Sequence, residues 1–396
     1  MPRTGDRGIR DQTLTTCRGT SMIHLLPSAD YEFYLGRNFS REEEVLFEPT
    51  ERLLAMYESL GLRTTLFCDV ACIWRYREWG REEIASRMEQ QMADALARGH
   101  DVQAHLHPHW LHARQTGDGG YQFDPRTYLL GTLDEDEAKC RLAVEHLARR
   151  TITYLNQLLQ PVDANYRCIA FRAGGYGLQP RTPLILEALI KAGFVIDSSI
   201  IPGFVFRSST HQVDFTHTPN HPNYWLSPRT GLTQPGPDGE GLFEIPIPAI
   251  HLTPVQGFLF NLPEALRQGL TILAGRESNH ERKGAPCGET SPMLTASRWR
   301  RAYWRSRALL QTRFHRLEAG PCLRPMLATF DGHLRRFSKT HRDHLHLSLN
   351  CHPKGMTSRH FDVLRRFHQH AGSSPTVRHL TFFQAWNQLQ SAIPSP

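Results

Sequence analysis

Short apolar runs alternate with amphipathic stretches along most of the chain, and the alternation predicts strands separated by helices. The first run, Ile23-His24-Leu25-Leu26, continues through Pro27-Ser28-Ala29-Asp30-Tyr31-Glu32-Phe33 and reads as a strand ending in two acids. From Glu48 to Leu60, apolar residues recur at helical spacing (Leu53, Leu54, Met56, Tyr57) and Gly61 closes the helix. A second strand follows at Arg63 to Cys68, then a helix over 81–98 that opens with Glu82 and Glu83 and is closed by Gly99. Gly99 delivers the chain into Asp101-Val102-Gln103-Ala104-His105-Leu106-His107-Pro108-His109-Trp110, a third strand that runs into alternating histidines. The Gly- and Asp-rich stretch from Leu111 to Leu133 reads as a loop, and a helix begins at Asp134 and reaches to about Leu159. Further strands are expected at Cys168–Phe171, Phe194–Ser199, Leu242–Pro248 and His344–Asn350, with a helix over Pro183–Lys191 and irregular chain from Phe204 to Gly241. Strands and helices in alternation specify an α/β protein with a largely parallel sheet.

Composition changes this picture in three places. The 396 residues, 40% of them apolar, can fill one elaborated α/β domain, expected over 22–396. Residues 1–21 are polar, lack the apolar core of a secretory signal and are expected to be disordered, with Met22 a candidate initiator. No window reaches 18 apolar residues, and the eight cysteines show neither paired metal spacing nor disulfide density, so the expected compartment is the cytoplasm. The net charge of +7 is concentrated between Arg276 and Arg342, within a polar insertion at about 275–295 and a basic helix at about 297–317 holding Trp299, Trp304 and seven arginines. A segmental excess without an aromatic-basic repeat argues against nucleic acid. The basic helix packs on the domain with a solvated arginine face or touches a membrane surface peripherally. Oligomeric state is not readable.

Candidate chemistry gathers where strands end. His105, His107 and His109 fall on one face of an extended chain, which places up to three imidazoles around one point and makes them candidate ligands of a divalent metal. Asp30 and Glu32 share a face at spacing i, i+2. Arg172 closes the fourth strand in Arg172-Ala173-Gly174-Gly175-Tyr176, Asp197-Ser198-Ser199 tips the fifth, and His352 follows the last. In alternating β/α barrels the active site lies at the carboxyl ends of the strands, so an acid pair, imidazoles and an arginine placed there supply the parts for metal-assisted hydrolysis. Asp197, Ser198 and Ser199 read as a turn cap rather than a nucleophile, since no Gly-x-Ser-x-Gly surrounds them. Trp110 and Tyr176 either line a substrate subsite or belong to the core.

These residues resemble the motifs of the NodB-type polysaccharide deacetylases, carbohydrate esterase family 4 in the broad sense. Ser28-Ala29-Asp30-Tyr31-Glu32 is similar to the family's first acidic motif and His105–His109 to its histidine motif. Phe171-Arg172-Ala173-Gly174-Gly175-Tyr176 matches its arginine motif and Leu349-Asn350-Cys351-His352-Pro353 its last histidine motif. The resemblance spans 22–205 well and 242–250 and 344–356 in outline. It implies a distorted (β/α) barrel of about seven strands and a carbohydrate substrate from surface polysaccharide metabolism, which loses an N-acetyl or related acyl group. It also implies a divalent metal, zinc first, held by His105, by His107 or His109, and by an acid of the first motif such as Glu32. Asp30 would then be the general base, Arg172 its partner and His352 the general acid, with backbone near Tyr176 at the oxyanion. Two features depart from the family. Its first motif has adjacent acids where Tyr31 separates Asp30 from Glu32 here, and its histidines stand four apart, which leaves His107 and His109 as alternatives. Another metal-dependent amidohydrolase or glycosidase on the same barrel, or a silent carbohydrate-binding relative, stays open.

Overall fold

The computed structural model describes residues 22–34, 41–117, 120–208, 211–275, 297–337 and 344–392. The expectations for 1–21 and for most of the polar insertion fall outside these residues. In chain order the main elements are β1 (Met22–Tyr31), α1 (Glu48–Ser59), β2 (Thr65–Asp69), α2 (Val70–Glu78), α3 (Glu82–Ala97), β3 (Asp101–Leu106), α4 (Glu137–Leu159), β4 (Ala170–Ala173), α5 (Thr182–Ala192), β5 (Ile196–Asp197), β6 (Tyr224–Leu226), β7 (Leu242–Glu244), α6 (Pro254–Leu273), α7 (Arg298–Gln311), α8 (Leu323–Phe337), β8 (His344–Leu349), α9 (Ser358–Gly372), β9 (Val377–His379) and α10 (Phe382–Ala392). The sheet runs β6-β7-β5-β4-β3-β2-β1-β8, with β9 also against β1. Every pairing is parallel except β6 with β7. The sheet curls into the expected distorted β/α barrel, with an antiparallel edge and the short β9 beyond the seven anticipated strands.

The curl is closed by a side chain. Asn223, just before β6, donates from Nδ2 to the His346 carbonyl (3.0 Å) and accepts the His346 N–H at Oδ1 (2.8 Å), so its amide acts as a surrogate peptide between β6 and the far edge strand β8.

β1 tolerates Pro27 in the middle of this sheet for a local reason. Ser28 O and Asp30 N bond toward the β8 side through Cys351, so odd-numbered residues face the other flank. There β9 pairs only Ile23–Leu25 and β2 begins at Ser28, so the missing N–H of Pro27 points where no partner strand lies.

Two apolar layers flank the sheet. Odd residues of β1 (Ile23, Leu25, Ala29, Tyr31) pack outward against the helices, while Leu26, Phe67, Ala170, Ile196, Phe243 and Ile245 fill the barrel with Phe382 and Ala385 of α10. α10 is seated by its first N–H groups, Phe382 onto Thr65 Oγ1 (3.1 Å) and Phe383 onto Asp101 Oδ2 (3.1 Å), at the strand starts. It therefore stops the end of the barrel opposite the site.

Several local expectations are corrected. The basic helix ends at Gln311 rather than near 317, and Phe314–Arg316 instead pairs antiparallel with Ala249–His251. The strand expected over Leu242–Pro248 stops at Glu244, before Pro246 and Pro248 interrupt it. The irregular stretch 204–241 contains β6 and a hairpin of 205–207 with 212–214.

At the plugged end, His24 and His346 are buried register partners with stacked rings 5.0 Å apart. Burial, then neighbouring imidazole charge, lowers His24 to about 4 and His346 to about 3. In the unfolded chain they take protons near pH 6.5, so between that pH and about 4 the unfolded state binds more protons and folding stability falls as pH falls. Each can remove up to about 1.4 kcal/mol per pH unit. The urea midpoint is therefore expected to drop from pH 7 to pH 5, and to drop less in His346→Phe; equal slopes in both proteins would count against this assignment.

Candidate active site

Parallel strands deliver their last residues to one rim, and β1, β3, β4 and β8 are neighbours or near neighbours there. Even residues of β1 point into the barrel, which brings Ser28 and Asp30 beside Arg172 of β4. Arg172 is fully buried and its donors are all used. Nη1 bonds Asp30 Oδ1 (2.7 Å) and Asn350 Oδ1 (2.9 Å), Nη2 bonds Ser28, Ser198 and Ser348 hydroxyls (2.9, 3.1 and 3.2 Å), and Nε bonds the Ser198 carbonyl (3.0 Å). The guanidinium lies 4.0 Å above the Phe67 ring. Such a cation fits a barrel interior because every N–H has a partner and one carboxylate balances its charge.

Asp30 gives its second oxygen to Asn350 Nδ2 (3.0 Å) and His352 Nε2 (3.1 Å). Burial pushes its pKa up, but the charge of Arg172, backed by His352, prevails and holds Asp30 far below the usual carboxylate range. His352 is gripped on its other side by Glu318, Nδ1 to Oε1 at 3.0 Å. Burial works against its protonation, yet the two carboxylates raise it to about 10. Glu318, held by burial against the charges of Arg316 and His352, is lowered to about 2. The result is a line of alternating charge, Arg172–Asp30–His352–Glu318–Arg316, buried at Arg172 and Asp30 and partly exposed from His352 outward.

A second group stands beside it. His105, His107 and Glu32 each offer an atom within 4.8 Å of the others. His105 Nδ1 faces the Arg172 carbonyl at 2.9 Å, and a carbonyl can only accept, so Nδ1 carries the proton and Nε2 keeps a lone pair. That Nε2 and His107 Nε2 are both buried without a hydrogen-bond partner, at 3.5 and 2.5 Å from Glu32 Oε2. Glu32 Oε1 is engaged by Lys354 Nζ at 2.8 Å. Two imidazole nitrogens converging on one carboxylate oxygen make a donor set that fits a divalent cation. Asp30, Glu32 and His352 also lie within 4.8 Å, but His352 bonds carboxylates through both nitrogens and has no lone pair to give.

Backbone geometry supports this arrangement. A Cβ on Gly174 would meet His107 Cγ and the Leu106 carbonyl at 2.5 Å, so only glycine lets β4's exit pass the imidazole. Gly175 and Tyr176 then take positive φ (58° and 61°), a conformation rare for tyrosine.

The remaining sequence candidates divide. His109 turns into a nest of Phe123, Tyr128 and Trp110, with ring centroids at 4.3, 5.1 and 5.6 Å, and burial keeps it neutral. It is not in the ligand group, because the 3₁₀ turn from Pro108 ends the extended chain that would have kept it in line with His105. Trp110 is 1% exposed among Tyr76, Trp79, Tyr121 and Phe123, which leaves a sugar no face to stack on. That substrate expectation is corrected to a core role. Tyr176 is half-buried against Phe204, with Arg316 5.8 Å from its ring. Asp197 binds Ser199 N and Oγ (3.1 and 2.7 Å), and Ser198 donates to the Ile245 carbonyl (2.8 Å), so both serines are turn-binding groups.

Four neighbours of the candidate site are not anticipated from the sequence. Lys354 lies in the 3₁₀ turn after His352, where the alternation of a strand gives no pointer to it. Asn350 lay within a quoted motif without a role. Asp69 accepts the His107 N–H (3.3 Å) at the end of β2, where burial raises it to about 7. Glu318 directly follows the expected end of the basic helix, and the strand that carries it toward His352 is not anticipated.

No family model matches the chain, and no curated protein matches it. Solved structures align over nearly the whole chain at low scores. An assigned polysaccharide deacetylase from Mycobacterium smegmatis has 13% identity and TM-score 0.44, covering 95% of this chain and 93% of that one. PuuE allantoinase has 16% identity and TM-score 0.46 over 96% and 93%. An assigned polysaccharide deacetylase from Pseudomonas aeruginosa PAO1 has 15% identity and TM-score 0.44 over 95% and 94%. Likeness at this level decides neither reaction nor substrate.

Proposed function

We propose that the protein is a metal-dependent hydrolase of the polysaccharide deacetylase type, removing an N-acetyl or related acyl group from a sugar of surface polysaccharide metabolism. The observation that carries this reading is the Asp30 carboxylate held between buried Arg172 and His352, with His105 and His107 converging on Glu32 beside it. His105, His107 and Glu32 would hold a divalent metal, zinc being the first choice for two imidazoles and a carboxylate. When bound it would supply Lewis acidity toward the acyl carbonyl and the attacking water.

The chain's own residues handle the protons. Arg172 keeps Asp30 ionised and its free lone pairs oriented. Asp30 alone, held so acidic, is a weak base. Asp30 would therefore take a proton only from water acidified by the metal, and the 3.1 Å contact with His352 then closes the cycle: His352 gives its proton to the departing amine nitrogen and takes from Asp30 the proton that Asp30 removed from water. Water thus adds across the amide, the C–N bond breaks, and the site returns to its starting protonation with amine and carboxylic acid as products, which part as ammonium and carboxylate. Glu318 favours protonated His352 before the bond breaks, and backbone at Tyr176 would donate to the developing oxyanion.

The test pairs elemental analysis with acetate release from N-acetylated saccharides, presented free, nucleotide-linked and lipid-linked. About one metal per chain and acetate release abolished by chelation are expected. Amine release from non-sugar amides alone would move the protein to another amidohydrolase class, and a chain that binds no metal and releases nothing would be a silent relative.

A further inference from the structure

The helical hairpin of α6 and α7 is built inside out. α6 buries Gly257, Asn261, Ala265, Gly269 and Ile272, the first two against Thr312 just past α7, and α7 contributes Ala302 and Ser306. Ser306 Oγ donates to the Ala265 carbonyl (3.0 Å), and a Cβ on Gly269 would come within 3.0 Å of that hydroxyl. The seam is thus backbone-close and made of small residues, as in helix pairs whose surroundings are not water. Ile272 is buried as well, but a set of large apolar residues lies on the outside. Val255, Leu259, Leu266 and Leu270 form one ridge of α6, 59 to 68% exposed, with Phe258 beside it. On α7 the outward face interleaves Trp299, Tyr303 and Trp304 with Arg300 and Arg307, and the helix has five arginines and no acid.

We propose that this face of the hairpin docks onto an anionic lipid surface, with the α6 ridge in the acyl boundary and the α7 arginines at the headgroups. Charge selects this occupant. Arginines flanking Trp and Tyr match a surface that is apolar below and negative above. A second copy meeting the same face in a two-fold arrangement would set Arg300 and Arg307 against their equivalents. The joining segment 276–296 has only Met293 and Leu294 as large apolar residues, too few to cover the ridge. No helix among the described residues is long and apolar enough to cross a membrane, so the contact is peripheral.

The full chain is floated with vesicles of phosphatidylcholine alone or with 30% phosphatidylglycerol. Binding to the anionic vesicles is expected to be at least about tenfold tighter, to weaken in 0.5 M NaCl and to shift tryptophan emission to the blue. Arg300→Glu/Arg307→Glu and Leu259→Ser/Leu266→Ser should each lose at least about tenfold in affinity. Both should keep the wild-type circular dichroism, since these side chains face outward. Equal binding to both vesicle types, binding retained by both variants, or a wild-type dimer broken by the leucine variant in a chain that ignores vesicles would overturn the proposal. The readout needs no turnover, so it stands or falls separately from the hydrolase reading.

Discussion

His105→Ala is expected to strip the divalent metal and to lower acyl hydrolysis by roughly 10²-fold or more, since even outer partners of metal ligands cost 10–100-fold when lost. The argument starts from the proton on the ring. Nδ1 is committed to the Arg172 carbonyl, so Nε2 has only its lone pair to offer, and it offers it to a buried point shared with His107 Nε2 and Glu32. His107→Ala should behave alike. His109→Ala should retain stoichiometric metal, because that ring sits among Phe123, Tyr128 and Trp110 outside the ligand group. Its cost should appear as stability, through a cavity in the aromatic nest. Metal content by mass spectrometry with turnover on the same samples separates the three variants. Full metal and full turnover in His105→Ala would remove the metal site from the protein.

What the sequence could reveal tracks how local each signal is. The histidine run and the Asp30, Glu32 pair were legible because a strand's period of two decides which side chains share a face. The choice between His107 and His109 was not, since it depends on Pro108 starting a 3₁₀ turn rather than extending the strand. Barrel closure by Asn223 was invisible for a different reason: the residue borders an irregular segment and its partner, His346, lies 123 positions away. The α10 plug likewise joins the start of β2 to a helix 317 positions on. Glu318 shows a third kind of failure. Arg313 to Leu317 follow a basic helix without a glycine stop, so periodicity carries the helix to Leu317 and leaves Glu318 just past it with no element to place it. The structure turns the chain at Thr312 and sends it back as a strand aimed at His352.

The largest stability loss is expected from Arg172→Met, about 3–5 kcal/mol, the cost of removing one partner of a buried pair. Methionine approximates the stem and can rest on Phe67, so little packing is lost and the effect is mainly electrostatic. Asp30 would remain buried with its charge opposed only by His352, and the hydroxyls of Ser28, Ser198 and Ser348 would lose their shared donor. Asp30 must then ionise less readily, so whatever turnover survives should need higher pH, with the acid limb of the rate profile displaced upward. Arg172→Lys should not rescue fully, because one ammonium cannot reach donors' partners spread over β1, β5 and β8. The double variant Asp30→Asn/Arg172→Met isolates the charge. It should be more stable than Arg172→Met alone, since the uncompensated carboxylate is gone, while remaining inactive for want of a proton carrier. Denaturant midpoints for the four proteins of this cycle measure the coupling. If the two single losses simply add, Asp30 and Arg172 are independent structural residues, and the ordered line of charges leading to His352 has no energetic basis.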